Sequence, residues 1–202
     1  KSQIHAGGRG AGKFLKPFND KGGVQISHTS EDAQKIAIGM MGNTLVTKQT
    51  GNAGKLVKRV YLEAGCEIDR EYYLSILLDR NLSKLMLMVS DAGGIDIEDV
   101  AEKNPERIQY IYFDNSEKII VSDNLQKKLN FSINEFSQFK EIISNLCRAY
   151  VEIDASLIEI NPLVVTKDEK LILLDAKINI DDNALFRQQE IEKLKDTSEE
   201  NT

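Results

Sequence analysis

Strand-sized apolar runs follow one another with only short connections in the middle of the chain, and this feature restricts the fold most. Three such runs are predicted to be strands at 57–64, 70–78 and 84–90, with a turn at 79–83 between the last two. A parallel pair needs a crossover of about a dozen residues, whereas antiparallel strands can be joined by short turns. We therefore expect these strands to pair antiparallel.

Helices are predicted outside this run. Thr29 begins a helix-start pattern that should lead to a stop near Gly42, and Ser132 with Glu135 forms a capping box that opens the longest helix. Further helices are predicted at 95–102 and 181–195, the latter with a frayed tail, and further strands at 1–5, 23–27 and 108–113. Clustered strands and separate helices indicate an α+β fold rather than regular βαβ units.

Composition excludes several classes of protein. The 202 residues, 41% of them hydrophobic, suffice for one sizeable core or two small subdomains. A net charge of -6 without any Lys/Arg block gives no footprint of a nucleic-acid binder. The longest apolar runs, such as 85–89, are far shorter than the roughly 20 residues of a membrane span. We expect a protein with no nucleic acid partner and no membrane segment.

A glycine-rich stretch at 7–13 follows the first predicted strand. Glycines that adopt positive φ let successive backbone N–H groups converge on an anion, and Arg9 and Lys13 would add positive charge. The stretch is not a P-loop, because Phe14 replaces the Ser/Thr that binds magnesium and Pro17 interrupts the following helix. By pattern alone a flexible connection is the more common explanation, and a phosphate cradle is the functional one.

A hairpin is predicted from 157–165 against 171–178. With its turn centred on Asp168, Asn161 lies opposite Asp175 and Glu159 lies opposite Lys177. Opposed Cβ atoms are about 5 Å apart, so an amide oxygen and a carboxylate could reach one hard cation. Solvated polar residues on a half-exposed hairpin are the more common explanation. Pro162 also predicts an edge strand or a bulge.

Several motifs together resemble one known family, the beta subunit of succinate–CoA ligase (succinyl-CoA synthetase). They extend over nearly the whole chain as far as Arg187. The motifs are Gln3-Ile4-His5-Ala6-Gly7-Gly8-Arg9-Gly10, Leu45-Val46-Thr47-Lys48-Gln49-Thr50, Arg70-Glu71-Tyr72-Tyr73-Leu74, Gly93-Gly94-Ile95-Asp96-Ile97-Glu98, Glu159-Ile160-Asn161-Pro162-Leu163-Val164 and Asp182-Asn183-Ala184-Leu185-Phe186-Arg187.

The resemblance implies an ATP-grasp fold, with two α+β subdomains at about 1–66 and 67–187 around a nucleotide cleft. It implies an acid–thiol ligase that couples succinyl-CoA to succinate plus ATP or GTP. The family reaction passes through a phosphohistidine on a partner alpha subunit, with which the beta subunit forms a heterodimer or heterotetramer. Neither His5 nor His28 therefore receives that role, and no catalytic residue is expected in this chain.

Site roles follow from the resemblance, residue by residue. Phosphates would be held at Lys1 and at Gly8, Arg9 and Gly10. Base, hinge and ribose contacts would fall at Glu63, Cys66 and Glu71, where Cys66 matches in position rather than in chemistry. Asn161 and Asp175 would bind Mg²⁺, in agreement with the hairpin register. ATP/ADP or GTP/GDP would be the nucleotide.

The resemblance also implies that the chain is part of a longer one. It is expected to lack an N-terminal segment, and 188–202 would form a helix end and polar tail leading to a C-terminal CoA-ligase domain. The expected location is the bacterial cytoplasm or the mitochondrial matrix. Two alternatives remain open: a related acid–thiol ligase of malate–CoA or citrate type, and a truncated nucleotide-binding module without catalysis.

Overall fold

A computed structural model describes residues 1–113 and 119–196. The chain divides into two compact units, one containing residues 1–65 together with Asp196 and the other containing Cys66–Lys195. Each unit has its own sheets and its own core. In the described part of the chain, no helix is long and apolar enough to cross a membrane.

The first unit combines one helix with short antiparallel strands. Its elements are β1 (Ser2–Gln3), β2 (Lys13–Phe14), α1 (Ser30–Met40), β3 (Thr44–Val46), β4 (Lys55–Leu56) and β5 (Arg59–Val60). β1 pairs with β5, while β2, β3 and β4 form a second small sheet. Thr29 caps α1 as predicted, since its side chain accepts a hydrogen bond from the Asp32 N–H. A small core gathers around Met40 and Leu45, which are almost fully buried.

The second unit is built on an antiparallel sheet covered by one long helix. Its elements are β6 (Ile68–Asp79), β7 (Lys84–Ser90), α2 (Ile97–Lys103), β8 (Ile108–Phe113), α3 (Asp123–Lys128), α4 (Ile133–Glu152), β9 (Ala155–Thr166), β10 (Leu171–Leu173), β11 (Ala176–Ile180) and α5 (Gln189–Glu192). Within the described residues the strand order is β10-β9-β6-β7-β8, and β11 also pairs with β9. Every pair is antiparallel, as expected for an α+β fold.

Helix α4 begins at the predicted capping box and supplies much of the core. The Ser132 hydroxyl accepts from the Glu135 N–H, and the Glu135 carboxylate accepts from the Ser132 N–H at 2.8 Å. Phe139 and Ile143 lie on the face of the helix that packs on β6 and β9. Because alternate residues of a strand point to opposite faces, this packing leaves every second side chain of β6 and β9 on the other face of the sheet.

The hairpin has the predicted register. Val165 pairs with Leu171, Ile160 with Ala176, and Glu159 with Lys177, as expected for a turn centred on Asp168. The bulge predicted at Pro162 lies on the opposite side of β9. There Asn161 and Pro162 together face Tyr73 of β6, so the pairing shifts by one residue while the hairpin register is kept. On the face of the hairpin opposite to Asn161, Ile160 is buried and Ala176 is exposed.

Three predicted elements differ in the structure. The strand predicted at 23–27 is wrong, because Gly23 instead passes beside the glycine-rich stretch and donates its N–H to the Arg9 carbonyl. Of the strand predicted at 57–64, only β5 forms, and it pairs with β1 rather than with the strands predicted at 70–78 and 84–90. The helix predicted at 181–195 is a 3-10 segment, Asp182–Arg187, followed by α5. In each case tertiary hydrogen bonds outweigh a weak local pattern.

Candidate functional site

In the first unit, the glycine-rich stretch forms a tight turn. Gly8 has a φ of 69°, in the left-handed region, and a 3-10 turn at Arg9–Ala11 follows it. A left-handed residue followed by a right-handed turn points successive backbone N–H groups toward one side. This is the geometry of an anion-binding nest. A Cβ at Gly22 would lie 2.1 Å from the Gly10 carbonyl oxygen, so the chain can pass beneath this turn only as glycine.

Two cationic side chains accompany the turn. Lys1 is only 16% exposed, and its Nζ lies 2.9 Å from Oε1 of Glu63. Arg9 donates from Nη1 to the Ser2 carbonyl at 3.3 Å, which holds the guanidinium beside β1. Two residues assigned to phosphate and base contacts by resemblance, Lys1 and Glu63, are thus directly paired. The Glu63 carboxylate keeps the ammonium charge of Lys1 in a defined place next to β1.

In the second unit, the hairpin brings the two candidate metal ligands together. The Asn161 N–H donates to the Asp175 carbonyl at 3.1 Å, which places the two residues opposite each other across β9 and the segment between β10 and β11. Both are partly buried. An amide and a carboxylate are hard oxygen donors of the kind that Mg²⁺ selects.

A glycine turn after β7 holds the Asn161 side chain at both ends. The Gly94 N–H donates to Oδ1 of Asn161 at 2.7 Å, and Nδ2 of Asn161 donates to the Ile95 carbonyl at 3.0 Å. These bonds fix which end of the amide is oxygen. An amide oxygen has two lone pairs, so one remains for a cation after the Gly94 bond.

The same turn lies against Glu71. The Gly93 N–H donates to the Glu71 carbonyl at 3.2 Å. A Cβ on Gly93 would meet the Tyr72 backbone nitrogen at 2.4 Å, and a Cβ on Gly94 would meet Oε2 of Glu71 at 2.4 Å. The backbone of β6 therefore leaves no room for a side chain at Gly93, and the Glu71 carboxylate lies where a Gly94 Cβ would be.

The strand that carries Glu71 is fixed to helix α4 by its neighbour Arg70. The Arg70 guanidinium donates to Oε1 of Glu135 at 2.5 Å, to the Tyr72 hydroxyl at 3.1 Å and to the Asn130 carbonyl at 2.6 Å. Because Arg70 points toward α4, Glu71 points to the other face of the sheet. The start of β6 is thereby held in register beside the Gly93–Gly94 turn.

Tyr73 is a buried tyrosine on the same face of the sheet as Glu71. Tyr73 is 4% exposed and lies two residues from Ser75, which pairs with Glu159 across β6 and β9. Burial raises the pKa of Tyr73 to about 12, and the neighbouring Glu159 carboxylate acts in the same direction. The phenol is therefore neutral at physiological pH. Glu159 in turn lies 3.9 Å from Nζ of Lys177.

The donor set fits a cation that is shared with a ligand. Among residues 1–113 and 119–196, no group of three or more His, Cys, Asp or Glu side chains is placed to hold a metal. Asn161 and Asp175 would thus provide two oxygen ligands and leave other positions to water or phosphate oxygens, which is how Mg²⁺ is usually bound. Zinc would instead require nitrogen or sulfur ligands.

The structure groups the predicted site residues by unit. Lys1, Glu63 and the turn at 8–10 belong to the first unit, while Cys66, Glu71, Asn161 and Asp175 belong to the second. Cys66 is partly buried just before β6. Their roles as ligands stay predictions. Sequence reasoning assigned no role to Gly94, although the consecutive glycines at 93–94 were a visible signal of close backbone approach.

Gln49 is a second residue that received no role from the sequence. The Gly7 N–H donates to its Oε1 at 2.7 Å, and a Cβ on Gly7 would lie 2.9 Å from its Nε2. The Gln49 side chain thus fixes the position of Gly7 at the beginning of the glycine-rich stretch. Its place in the motif at 45–50 was the available signal.

Comparisons with known proteins identify the family of the chain. A family model described as an ATP-grasp domain matches residues 1–165. The chain is 47% identical over 204 residues to the succinate–CoA ligase (ADP-forming) subunit beta of Acidiphilium cryptum, and 48% identical over 205 residues to that of Brucella anthropi. These alignments cover 99% of this chain and 51% of each relative. The chain thus spans about half the length of these curated relatives.

A solved structure is similar in fold. ATP citrate lyase from Methanothrix soehngenii, in complex with citrate and coenzyme A, has a TM-score of 0.53 with 18% sequence identity. The similarity covers 79% of this chain and 35% of that chain. At this identity the likeness concerns the fold alone.

Proposed function

Because the chain belongs to the ATP-grasp family, we propose that it binds a purine nucleotide with Mg²⁺ as the nucleotide-binding part of a succinate–CoA ligase beta subunit. The complete enzyme would couple succinyl-CoA to succinate plus ATP or GTP. The relatives at 47% and 48% identity are named as ADP-forming, which supports ADP as the nucleotide. Their bacterial sources favour the bacterial cytoplasm as the location.

The observation that carries the proposal is the pairing of Asn161 with Asp175. Their backbones are hydrogen-bonded at 3.1 Å, and the Asn161 amide oxygen is oriented by the Gly94 N–H. Two hard oxygen donors, one on β9 and one on the segment between β10 and β11, suit a nucleotide-bound Mg²⁺ better than a cation held by protein alone. When bound, Mg²⁺ would neutralise charge on the phosphate oxygens during phosphoryl transfer.

The first unit contains the residues that are proposed to contact phosphate. Lys1 is held by Glu63, Arg9 is held at the Ser2 carbonyl, and Gly8 begins a turn that can orient backbone N–H groups toward an anion. Together these groups would balance the negative charge of the nucleotide phosphates. In the second unit, Glu71 would contact the ribose and Cys66 the hinge side of the nucleotide through its backbone.

The phosphoryl acceptor would come from another chain. His5 and His28 are both exposed in the first unit. In the proposed assembly neither is phosphorylated, and an alpha subunit supplies the phosphohistidine. The chain's own contribution is then to bind the nucleotide and to hold charge in place around the transferred group. We expect no turnover from this chain alone.

The proposal is tested by removing one candidate ligand. Asp175→Ala should weaken the Mg²⁺-dependent affinity for ADP about tenfold or more, because a carboxylate ligand worth about 1.4 kcal/mol or more is lost. Asp168→Ala is the matched control, since this aspartate lies at the tip of the same hairpin and pairs with Lys170. Both affinities are measured by calorimetric titration. Equal affinities in the two variants would refute the metal site.

A further inference from the structure

We propose that the Gly93–Gly94 turn is a positioning element that couples the metal site to the nucleotide site. The inference rests on the proposed function and extends it to two residues that it assigns no ligand contact. The turn contacts Glu71 on one side and Asn161 on the other. By resemblance, Glu71 faces the nucleotide ribose and Asn161 faces the Mg²⁺. One dipeptide therefore lies between the two ligand contacts.

At the candidate metal site, the turn fixes the orientation of the Asn161 side-chain amide. Rotating the amide by 180° would place Nδ2 against the Gly94 N–H and Oδ1 against the Ile95 carbonyl, so both hydrogen bonds would become repulsive. The turn thus keeps Oδ1 on the side of the Gly94 N–H. The Asn161 N–H bond to the Asp175 carbonyl then fixes the second candidate ligand relative to the first.

On the nucleotide side, the turn limits where the Glu71 carboxylate can lie. Its Oε2 lies 2.4 Å from the place of a Gly94 Cβ, so a side chain at position 94 would force the carboxylate to move away. The Gly93 N–H bond to the Glu71 carbonyl fixes the backbone at the same point. If Glu71 or Asn161 displaced the turn, the contact of the turn with the other residue would therefore change as well.

The Gly93–Gly94 turn would thus orient a metal ligand without contacting the metal itself. Groups that do so typically contribute about 10- to 100-fold in metal affinity. A nucleotide that holds Glu71 against Gly94 would also stabilise the hydrogen bond from the Gly94 N–H to Asn161. Binding of the nucleotide and of Mg²⁺ should consequently strengthen each other by the same factor, as linkage requires.

The matched pair of variants is Gly94→Ala and Gly42→Ala. Both glycines have a φ of 72°, so both substitutions place an L side chain at the same unfavourable φ. A Cβ at Gly42 meets nothing within 4 Å, whereas a Cβ at Gly94 meets the Glu71 carboxylate. Any difference between the variants beyond backbone strain therefore reports the contact with Glu71 and the bond to Asn161.

The experiment measures the Mg²⁺-linked gain, which is the ratio of the ADP dissociation constants without and with Mg²⁺. Calorimetric titration of the whole chain should give a gain in the unsubstituted protein that falls about tenfold in Gly94→Ala and is retained in Gly42→Ala. Thermal melts accompany each variant and establish that it is folded at the temperature of the titration. A gain retained in Gly94→Ala would overturn the inference.

A double variant separates positioning from a general weakening of the fold. If Gly94 acts through Asn161, then Gly94→Ala should cause no further loss of the gain in an Asn161→Ala background. An additional loss of the same size in that background would overturn the inference. If Asn161→Ala abolishes the gain while Gly94→Ala retains it, the proposed function stands and only the coupling role fails. If the unsubstituted chain shows no gain, both fail.

Discussion

Replacement of Arg70 by methionine should destabilise the second unit strongly, because it leaves a buried carboxylate without its cation. Glu135 is only 3% exposed at its side chain, and its Oε1 accepts from Arg70 at 2.5 Å. Removing one partner of a buried pair costs about 3–5 kcal/mol. Arg70 is 29% exposed, and the Ser132 N–H still donates to the carboxylate, so we take the lower end, about 3 kcal/mol.

A second substitution isolates the charge from the packing. In Arg70→Met with Glu135→Gln, the buried carboxylate becomes a neutral amide and the remaining cost is that of lost hydrogen bonds, about 1 kcal/mol. The double variant should therefore be more stable than Arg70→Met alone by about 2 kcal/mol, although it carries one more substitution.

Urea unfolding followed by tyrosine fluorescence suits this comparison. The chain contains no tryptophan and six tyrosines. All except Tyr61 lie in the second unit, so the signal reports mainly that unit. If Arg70→Met and the double variant unfold at the same urea concentration, the reasoning about an uncompensated charge at Glu135 is refuted.

Two further predictions concern groups with altered ionisation. Hydrogen bonds from Arg187 and then Gln188 lower the pKa of Asp154 from 3.8 to about 2, so its contribution to stability is complete above the unfolded value and is lost as the pH falls through about 2. The melting temperature of Asp154→Asn should therefore lie below that of the unsubstituted protein at pH 6 and approach it by pH 2; a pH-independent difference would contradict this. Burial raises the pKa of Cys147 to about 12, and Cys66 is only partly buried. A thiol reagent at pH 8 should titrate one cysteine in the native protein and two in urea, and two rapid reactions in the native state would be inconsistent with the buried Cys147.

The elements that could be predicted from sequence are those whose signals are local and strong. The capping box at Ser132 and Glu135 predicted the start of α4, and the turn at Asp168 predicted the hairpin register, because a cap and a turn each fix their geometry within a few residues. Strands β7 and β8 likewise form over the predicted residues.

The elements that were wrong depend on partners far away in sequence. The segment at 23–27 contains strand formers, yet the Gly23 N–H and carbonyl bond to Arg9 and Ser2 beside the glycine turn rather than to a neighbouring strand. The segment at 182–187 is held by ion pairs from Arg187 to Asp154 and capped at Asp181, which favours a 3-10 turn over a continuous helix. Short α3 had no signal strong enough to predict it.

In the candidate site too, contacts set by local geometry could be predicted from the sequence, whereas contacts between distant residues could not. Asn161 and Asp175 could be paired from the hairpin register alone, because each lies at a defined distance from the turn. The bonds from Gly94 to Asn161 and from Gly93 to Glu71 join residues more than twenty positions apart, and no periodicity or cap encodes them. The resemblance to the family proposed the residues, but their mutual contacts are visible only in the fold.

Calorimetric titration of the unsubstituted chain with ADP and with GDP, each with and without Mg²⁺, is the decisive measurement of nucleotide binding. We expect that ADP binds and that Mg²⁺ raises its affinity about tenfold or more, since Asn161 and Asp175 would share the cation with the phosphates. GDP measured under the same conditions gives the purine preference. An ADP affinity that is unchanged by Mg²⁺, or absence of binding by both nucleotides, would refute the proposed nucleotide and metal site.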